Sequence, residues 1–148
     1  QFKYAIPEEF KTWEWPWREV IEANPDVIFA WHGDTPTFEF DPIRNLYGFV
    51  TRRDFASDGS LCEPPDWVVA NTIPVETALR LMTINSAYAL FRDRDIGSLR
   101  EGKYADLIIL SDNPLTMEPN ALIDLEVWLT MVNGKVEHCA SGHENLCP

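Results

Sequence analysis

The sequence predicts an α/β protein, with helices and a buried strand in its front half and a small β unit behind them. Three observations carry that reading. Asp41-Pro42 followed by Ile43, Leu46, Tyr47 and Val50 has the form of a capped amphipathic helix. Val27-Ile28-Phe29-Ala30 is an unbroken apolar run between turn signals, which suits a strand covered on both faces, as in a parallel sheet. Residues Glu126 to Val132 and Lys135 to His138 flank Asn133-Gly134, and Asn-Gly between two extended runs predicts a type I′ hairpin.

The remaining elements follow in chain order. Pro16 suits a first helical turn, Val20 and Ile21 give that helix an apolar edge, and Asn24-Pro25 stops it. The apolar run that follows leads straight into His32-Gly33-Asp34-Thr35-Pro36, so a carboxylate sits just past the predicted strand. Arg52 and Arg53 close the helix opened by Asp41, where the helix dipole favours cations. Residues 54 to 72, with Gly59, Pro64 and Pro65, read as a long loop of the functional or mobile kind. A helix begins near Pro74 with Val75, Ala78, Leu79 and Met82 on one face, and a shorter one covers Ser86 to Phe91. Ala105 to Leu110 reads as a buried strand ended by Ser111-Asp112-Asn113-Pro114, and the polar tail after Cys139 is expected to fray. The change from helical to β pattern falls between Phe91 and Ile96.

Composition narrows the function classes. The 148 residues carry 24 acidic and 12 basic side chains, a formal charge of −12. Binding through phosphate contacts, or to an anionic lipid surface, needs the opposite balance. No apolar run approaches the ~20 residues that span a bilayer. The chain starts at Gln1 with no basic-then-apolar leader, so it reads as processed, trimmed or cut from something longer, with the cytoplasm as the expected compartment. Cys62, Cys139 and Cys147 are too few and scattered for a disulfide scaffold; a Cys139–Cys147 loop is conceivable in an oxidising compartment, but free thiols are the preferred reading.

Three groups of residues are candidates for chemistry. Asp34 lies where α/β folds place ligand and catalytic groups, past the C-terminal end of a strand. With His32 two residues before it, it forms a possible metal-ligand or acid–base pair, or else merely opens a turn with Thr35-Pro36. His138, Cys139, His143 and Cys147 match a zinc site in number, yet adjacent strand residues point opposite ways and the spacing fits no established finger. Trp13, Trp15 and Trp17 beside Pro16 could stack a planar ligand or a sugar, or pack a helix into a core. No nucleophile elbow, phosphate-cradling glycine loop or Cys-x-x-Cys occurs.

Several segments together resemble one family. Thr83-Ile84-Asn85-Ser86-Ala87-Tyr88-Ala89-Leu90, Ile96-Gly97-Ser98-Leu99-Arg100-Glu101-Gly102-Lys103-Tyr104-Ala105-Asp106-Leu107 and Asp112-Asn113-Pro114-Leu115 are similar to the C-terminal part of amidohydrolase-superfamily enzymes. The resemblance is to the family 3 branch, which includes YtcJ-like hydrolases and N-acyl-D-amino-acid deacylases. Thr130 to Val136 resembles its closing hairpin, and Pro16-Trp17-Arg18, His32 to Pro36 and Val50-Thr51-Arg52 resemble its late-barrel pattern.

The resemblance implies the last units of a metal-dependent (β/α)8 barrel over residues 1–95, strands of a small composite β-domain over 96–138, and a polar tail over 139–148. A complete barrel takes ~250 residues, so the barrel is incomplete as given. It implies hydrolysis of amide-type C–N bonds by activated water, a divalent metal (zinc) as cofactor, and Asp34 as both metal ligand and catalytic residue. His32-Gly33 departs from the small residue and serine usual there. Expected partners are an upstream barrel segment or partner chain, a small amide-like substrate and further copies of the chain, with neither nucleic acid nor membrane. Alone, the chain is expected to be inactive. A reading from another class is a non-catalytic barrel remnant acting in oligomerisation or partner binding.

Overall fold

The structure is a computed structural model that describes Phe10, residues 16–33, 40–56 and 58–147. It mixes helix and strand, as the sequence predicts. Helix α1 (Trp17–Ala23) starts behind Pro16 and stops at Asn24, whose side chain donates back to the Val20 carbonyl at 2.8 Å. Helix α2 (Pro42–Thr51) begins where its cap signal falls. The Asp41 carboxylate accepts from the backbone N–H groups of Ile43 and Arg44, both at 3.0 Å, filling two of the orphan donors of the first turn. Its far end turns at Arg52, which adopts the left-handed region at φ 59° and donates its N–H to the Gly48 carbonyl.

Residues 54 to 72 are more ordered than a long loop. Strands β1 (Asp54–Phe55) and β2 (Leu61–Cys62) form a small antiparallel hairpin, and helix α3 (Asp66–Val69) follows. Non-local contacts supply the order: Arg44 binds the Asp54 carboxylate at 2.8 Å and the Phe55 carbonyl at 3.0 Å, and Phe55 stacks on Tyr47. Helices α4 (Val75–Met82) and α5 (Ile84–Ala89) come next, the second starting two residues earlier than its apolar pattern suggests. The face that α4 buries is Ala78 and Leu81, with Leu79 and Met82 at its margin.

The back half is a three-stranded antiparallel sheet in the order β3 (Leu107–Leu110), β4 (Val127–Val132), β5 (Lys135–Cys139). Val132 pairs with Lys135 across Asn133 (φ 50°) and Gly134 (φ 76°). Positive φ at both central residues is the type I′ turn the dipeptide predicts. The expectation of a buried strand at 105–110 needs correction. β3 is an edge strand, and Ile108 on its outer face is 51% exposed.

One core joins the two halves. Leu46, Tyr47 and Val50 of α2 pack with Ile73, with Ala78 and Leu81 of α4, and with Leu122 and Leu125 at the 3-10 helix Pro119–Asp124.

Two further expectations are overturned. Val27 to Ala30 forms no strand: Val27 and Ile28 are 53% and 49% exposed, and no described strand pairs with them. A strand needs a hydrogen-bonded neighbour along an edge, and among the described residues the segment's backbone bonds go to the ends of α1, α4 and α5. The tail after Cys139 is not frayed. A Cys139–Cys147 disulfide closes it, a 3-10 turn covers Glu144–Leu146, and His143 stacks on Trp128 at 4.1 Å between ring centroids. The preference for free thiols therefore fails at these two cysteines, while Cys62 is free as expected. The Gly142 N–H bonded to the Glu144 carboxylate holds that carboxyl below its ordinary pKa.

The cap at Asp41 gives a direct test of this local logic. Asp41→Ala should cost about 1 kcal/mol in denaturant melts, whereas Asp41→Asn, an equally good cap, should cost far less. Equal losses would show that the cap bonds are not what holds the start of α2.

Candidate functional site

The strongest sequence candidate, Asp34, lies outside the described residues, as do Thr35, Pro36, Trp13 and Trp15. The structure does describe the segment that delivers the chain to Asp34. Phe29 and Trp31 turn inward and pack against the main core. Their backbone is gripped from the α4–α5 junction. The Asn85 side-chain amide donates to the Phe29 carbonyl at 2.8 Å, the Ser86 hydroxyl lies 3.1 Å from the Trp31 carbonyl, and the Trp31 N–H donates to the Leu81 carbonyl at 3.2 Å. The Ser86 hydroxyl is also 2.7 Å from the Leu81 carbonyl, so its single proton is shared between two acceptors. His32 beyond this grip is exposed, and Gly33 is half-buried.

On the other side the chain re-enters the described structure at Phe40 and is fixed at once by the Asp41 cap. Asp34 is thus flanked by two anchors, one at Trp31 and one at Asp41. Sequence reasoning did not assign roles to Asn85 and Ser86. Their type was the available signal: polar side chains in the first turn of a helix bond nearby backbone more readily than they extend helix.

The outer side of the segment is open. Val27, Ile28 and Phe29 line a cleft of about 420 Å³ with Ile84 and Tyr88 of α5 and Arg80 of α4. Among the described residues Ile28 and Ala30 have no backbone hydrogen bond.

Two quoted motifs prove to be supports. Gly97 has φ +83°, and a Cβ there would stand 2.6 Å from the Ala87 Cβ and 3.0 Å from the Ile84 Cα. Glycine therefore lets the 96–98 turn close on α5, the helix that carries Asn85 and Ser86. Lys103 then stitches the loop by donating to the carbonyls of Asp93 and Ile96. Asp106 accepts from the Asn133 N–H at 2.6 Å, and the Gly134 N–H donates to the Ala105 carbonyl at 3.1 Å, tying the loop to the hairpin turn.

The other candidate groups do not assemble a site. Among the described residues no three His, Cys, Asp or Glu side chains are placed to hold a metal ion. In the tail, Cys139 and Cys147 spend their sulfurs on each other and His143 lies on Trp128, which removes the possible zinc ligands. His138 is exposed on β5. Trp17 lies on α1, 37% exposed.

Comparison with known proteins fits this arrangement of motifs. Residues 7–138 match the amidohydrolase family. The chain belongs to that family. It is 32% identical over 127 residues to an N-substituted formamide deformylase of Arthrobacter pascens, covering 86% of this chain and 22% of that protein. It is 27% identical over 120 residues to a putative amidohydrolase, YtcJ, of Bacillus subtilis strain 168, covering 81% of this chain and 22% of that protein. It is also 31% identical over 112 residues to the protein LONG AFTER FAR-RED 3 of Arabidopsis thaliana, covering 76% and 18%. The chain thus spans about a fifth of the length of these relatives. No solved structure matches it significantly.

The supports around the site predict two graded results. Asn85→Ala should loosen the approach to Asp34, raising amide exchange at residues 29–33 by an opening cost of about 1 kcal/mol, with exchange in α2 unchanged. Gly97→Ala should destabilise clearly more than Gly102→Ala in thermal melts. Both glycines carry positive φ, but nothing lies within 4 Å of a Cβ at Gly102, so only the first adds a clash to the strain of about 1 kcal/mol. Equal losses for the two would mean that Gly97 serves backbone conformation alone.

Proposed function

We propose that this chain supplies the C-terminal part of a hydrolase acting on amide-type C–N bonds of small molecules. Residues 1–95 would be the last units of a (β/α)8 barrel, 96–138 strands of a composite β-domain, and 139–148 its terminal tail. The observation that carries the reading is the family match over residues 7–138, with Asp34 placed directly after a segment clamped at Phe29 and Trp31. The printed activity of the Arthrobacter pascens relative, removal of a formyl group from an N-substituted formamide, belongs to the same bond class.

The barrel assignment is supported by what the segment lacks. Ile28 and Ala30 have no backbone hydrogen bond among the described residues, and Val27 and Ile28 are half exposed. A strand from an upstream barrel segment, in the same or a partner chain, would fill that edge. Assembly of several copies belongs to the same proposal. Among the described residues no helix is long and apolar enough to cross a membrane. The cytoplasm is the proposed compartment, one that would hold the Cys139–Cys147 bridge under reducing pressure.

In this reading Asp34 accepts a proton from the attacking water and returns it to the leaving amine. Among the described residues no three His, Cys, Asp or Glu side chains are placed to hold a metal ion, and Asp34 lies outside those residues. A divalent cation, zinc in this proposal, would be held by Asp34 together with ligands from outside this chain and would make bound water more acidic.

The test uses the full assembly that carries this chain. Asp34→Asn keeps size and one carbonyl oxygen but cannot take the proton, so kcat should fall by about 10²–10⁴-fold with the melting temperature held. His32→Asn should cost much less. A kcat unchanged by Asp34→Asn, or a loss fully accounted for by unfolding, overturns the catalytic assignment.

A further inference from the structure

The closed tail at residues 139–147 lies apart from the residues of the proposed hydrolysis. Its geometry is built from four linked observations. Cys139 ends β5 and pairs with Leu129, and the Ala140 N–H continues that ladder by donating to the Trp128 carbonyl at 2.8 Å. Cys139 and Cys147 are joined across eight positions of sequence, and the turn between them is bonded within itself, from the His143 N–H to the Ala140 carbonyl and from the Leu146 N–H to the His143 carbonyl. The link presses the His143 ring onto the Trp128 indole, nearly parallel at 18°. The Trp128 Nε1 is itself buried, with no hydrogen-bond acceptor among the described residues.

The last observation sets the balance. Burying an indole N–H without an acceptor is unfavourable, and stacking alone returns only part of that cost. Among the described residues, the polar contacts of the tail beyond the β5 ladder are local, apart from the Ala140 bond to Trp128. No tail residue belongs to the main core around Leu46 and Leu122. The covalent link is therefore what keeps the cover in place, and breaking it lets water reach the indole N–H without disturbing the core.

We propose that the Cys139–Cys147 disulfide is a redox-operated latch that decides whether the 140–147 turn covers Trp128. The step is a thiol–disulfide exchange. A dithiol reductant attacks one sulfur, the S–S bond breaks, and two electrons and two protons pass to Cys139 and Cys147 as the reductant becomes a disulfide. The open state frees His143 and exposes one face of the sheet at Trp128. The device is independent of the catalytic reading, since it uses neither Asp34 nor its anchors.

The test is performed on the protein purified without reductant. Alkylation and peptide mass spectrometry should label Cys62 alone, and after dithiothreitol all three cysteines. Hydrogen exchange should then rise in residues 140–147 and at the Ala140 amide, with α2 and α4 unchanged. Cys139→Ser/Cys147→Ser should show the open pattern with or without dithiothreitol, and Trp128→Phe should keep the disulfide while removing the reduction-dependent change in indole fluorescence. Alkylation of Cys139 and Cys147 before reduction overturns the latch. So does unchanged exchange in 140–147 after reduction, and so does a rise that spreads through α2 and α4, which would make the disulfide a staple of the whole fold.

Discussion

Packing on one face of α2 is the constraint on which the rest of the structure depends. Leu46 and Tyr47 are each 2% exposed, and they meet Leu122, which has no exposed surface. Burying side chains of this size is worth about 1.5–3 kcal/mol each, more than any of the exposed ion pairs can supply. Through this contact a helix from the front half fixes the segment that precedes β4. Through Ala78 and Leu81 it fixes α4, and the α4–α5 junction in turn holds the backbone of Phe29 and Trp31. The anchors on both sides of Asp34 therefore trace to a single apolar face, since Asp41 starts the same helix.

Elements whose cause is local were legible in the sequence. Asp41-Pro42 dictates a helix start because the cap and the fixed φ act within one turn, and Asn133-Gly134 dictates its turn because both residues tolerate positive φ. The failures share a different cause. Val27 to Ala30 has a strand's composition, but a strand is a relation between neighbours, and the described residues supply none along its outer edge. The hairpin within residues 54–72 depends on Arg44 reaching across from α2, and the closed tail depends on a covalent bond between residues eight apart. Neither leaves a periodic signal.

The site was legible to a different depth. Nothing in the spacing of Asp34 separates a catalytic carboxylate from a turn residue; the resemblance of whole segments to one family made that choice, and the match over residues 7–138 bears on the family alone. The same resemblance quoted Thr83 to Leu90 and Ile96 to Leu107 without saying what they do. Their roles emerge only from contacts: Asn85 and Ser86 hold carbonyls, Gly97 admits the turn against α5, and Asp106 holds the hairpin turn.

This division explains how a family signature can lie far from the chemistry it accompanies. A carboxylate that moves a proton needs its position fixed to a fraction of an ångström, and a loop cannot fix itself. Here the described supports pass from Gly97 to α5 and from α5 to the carbonyls of Phe29 and Trp31, which precede Asp34 in the sequence. Each of these links is a hydrogen bond or a close packing contact. A glycine that cannot accept a Cβ, and an amide and a hydroxyl with backbone acceptors, are each constrained by a specific neighbour. On this account the motif in residues 96–107 is specific because it is mechanical: its glycine, lysine and aspartate hold the loop against α5 and the hairpin turn.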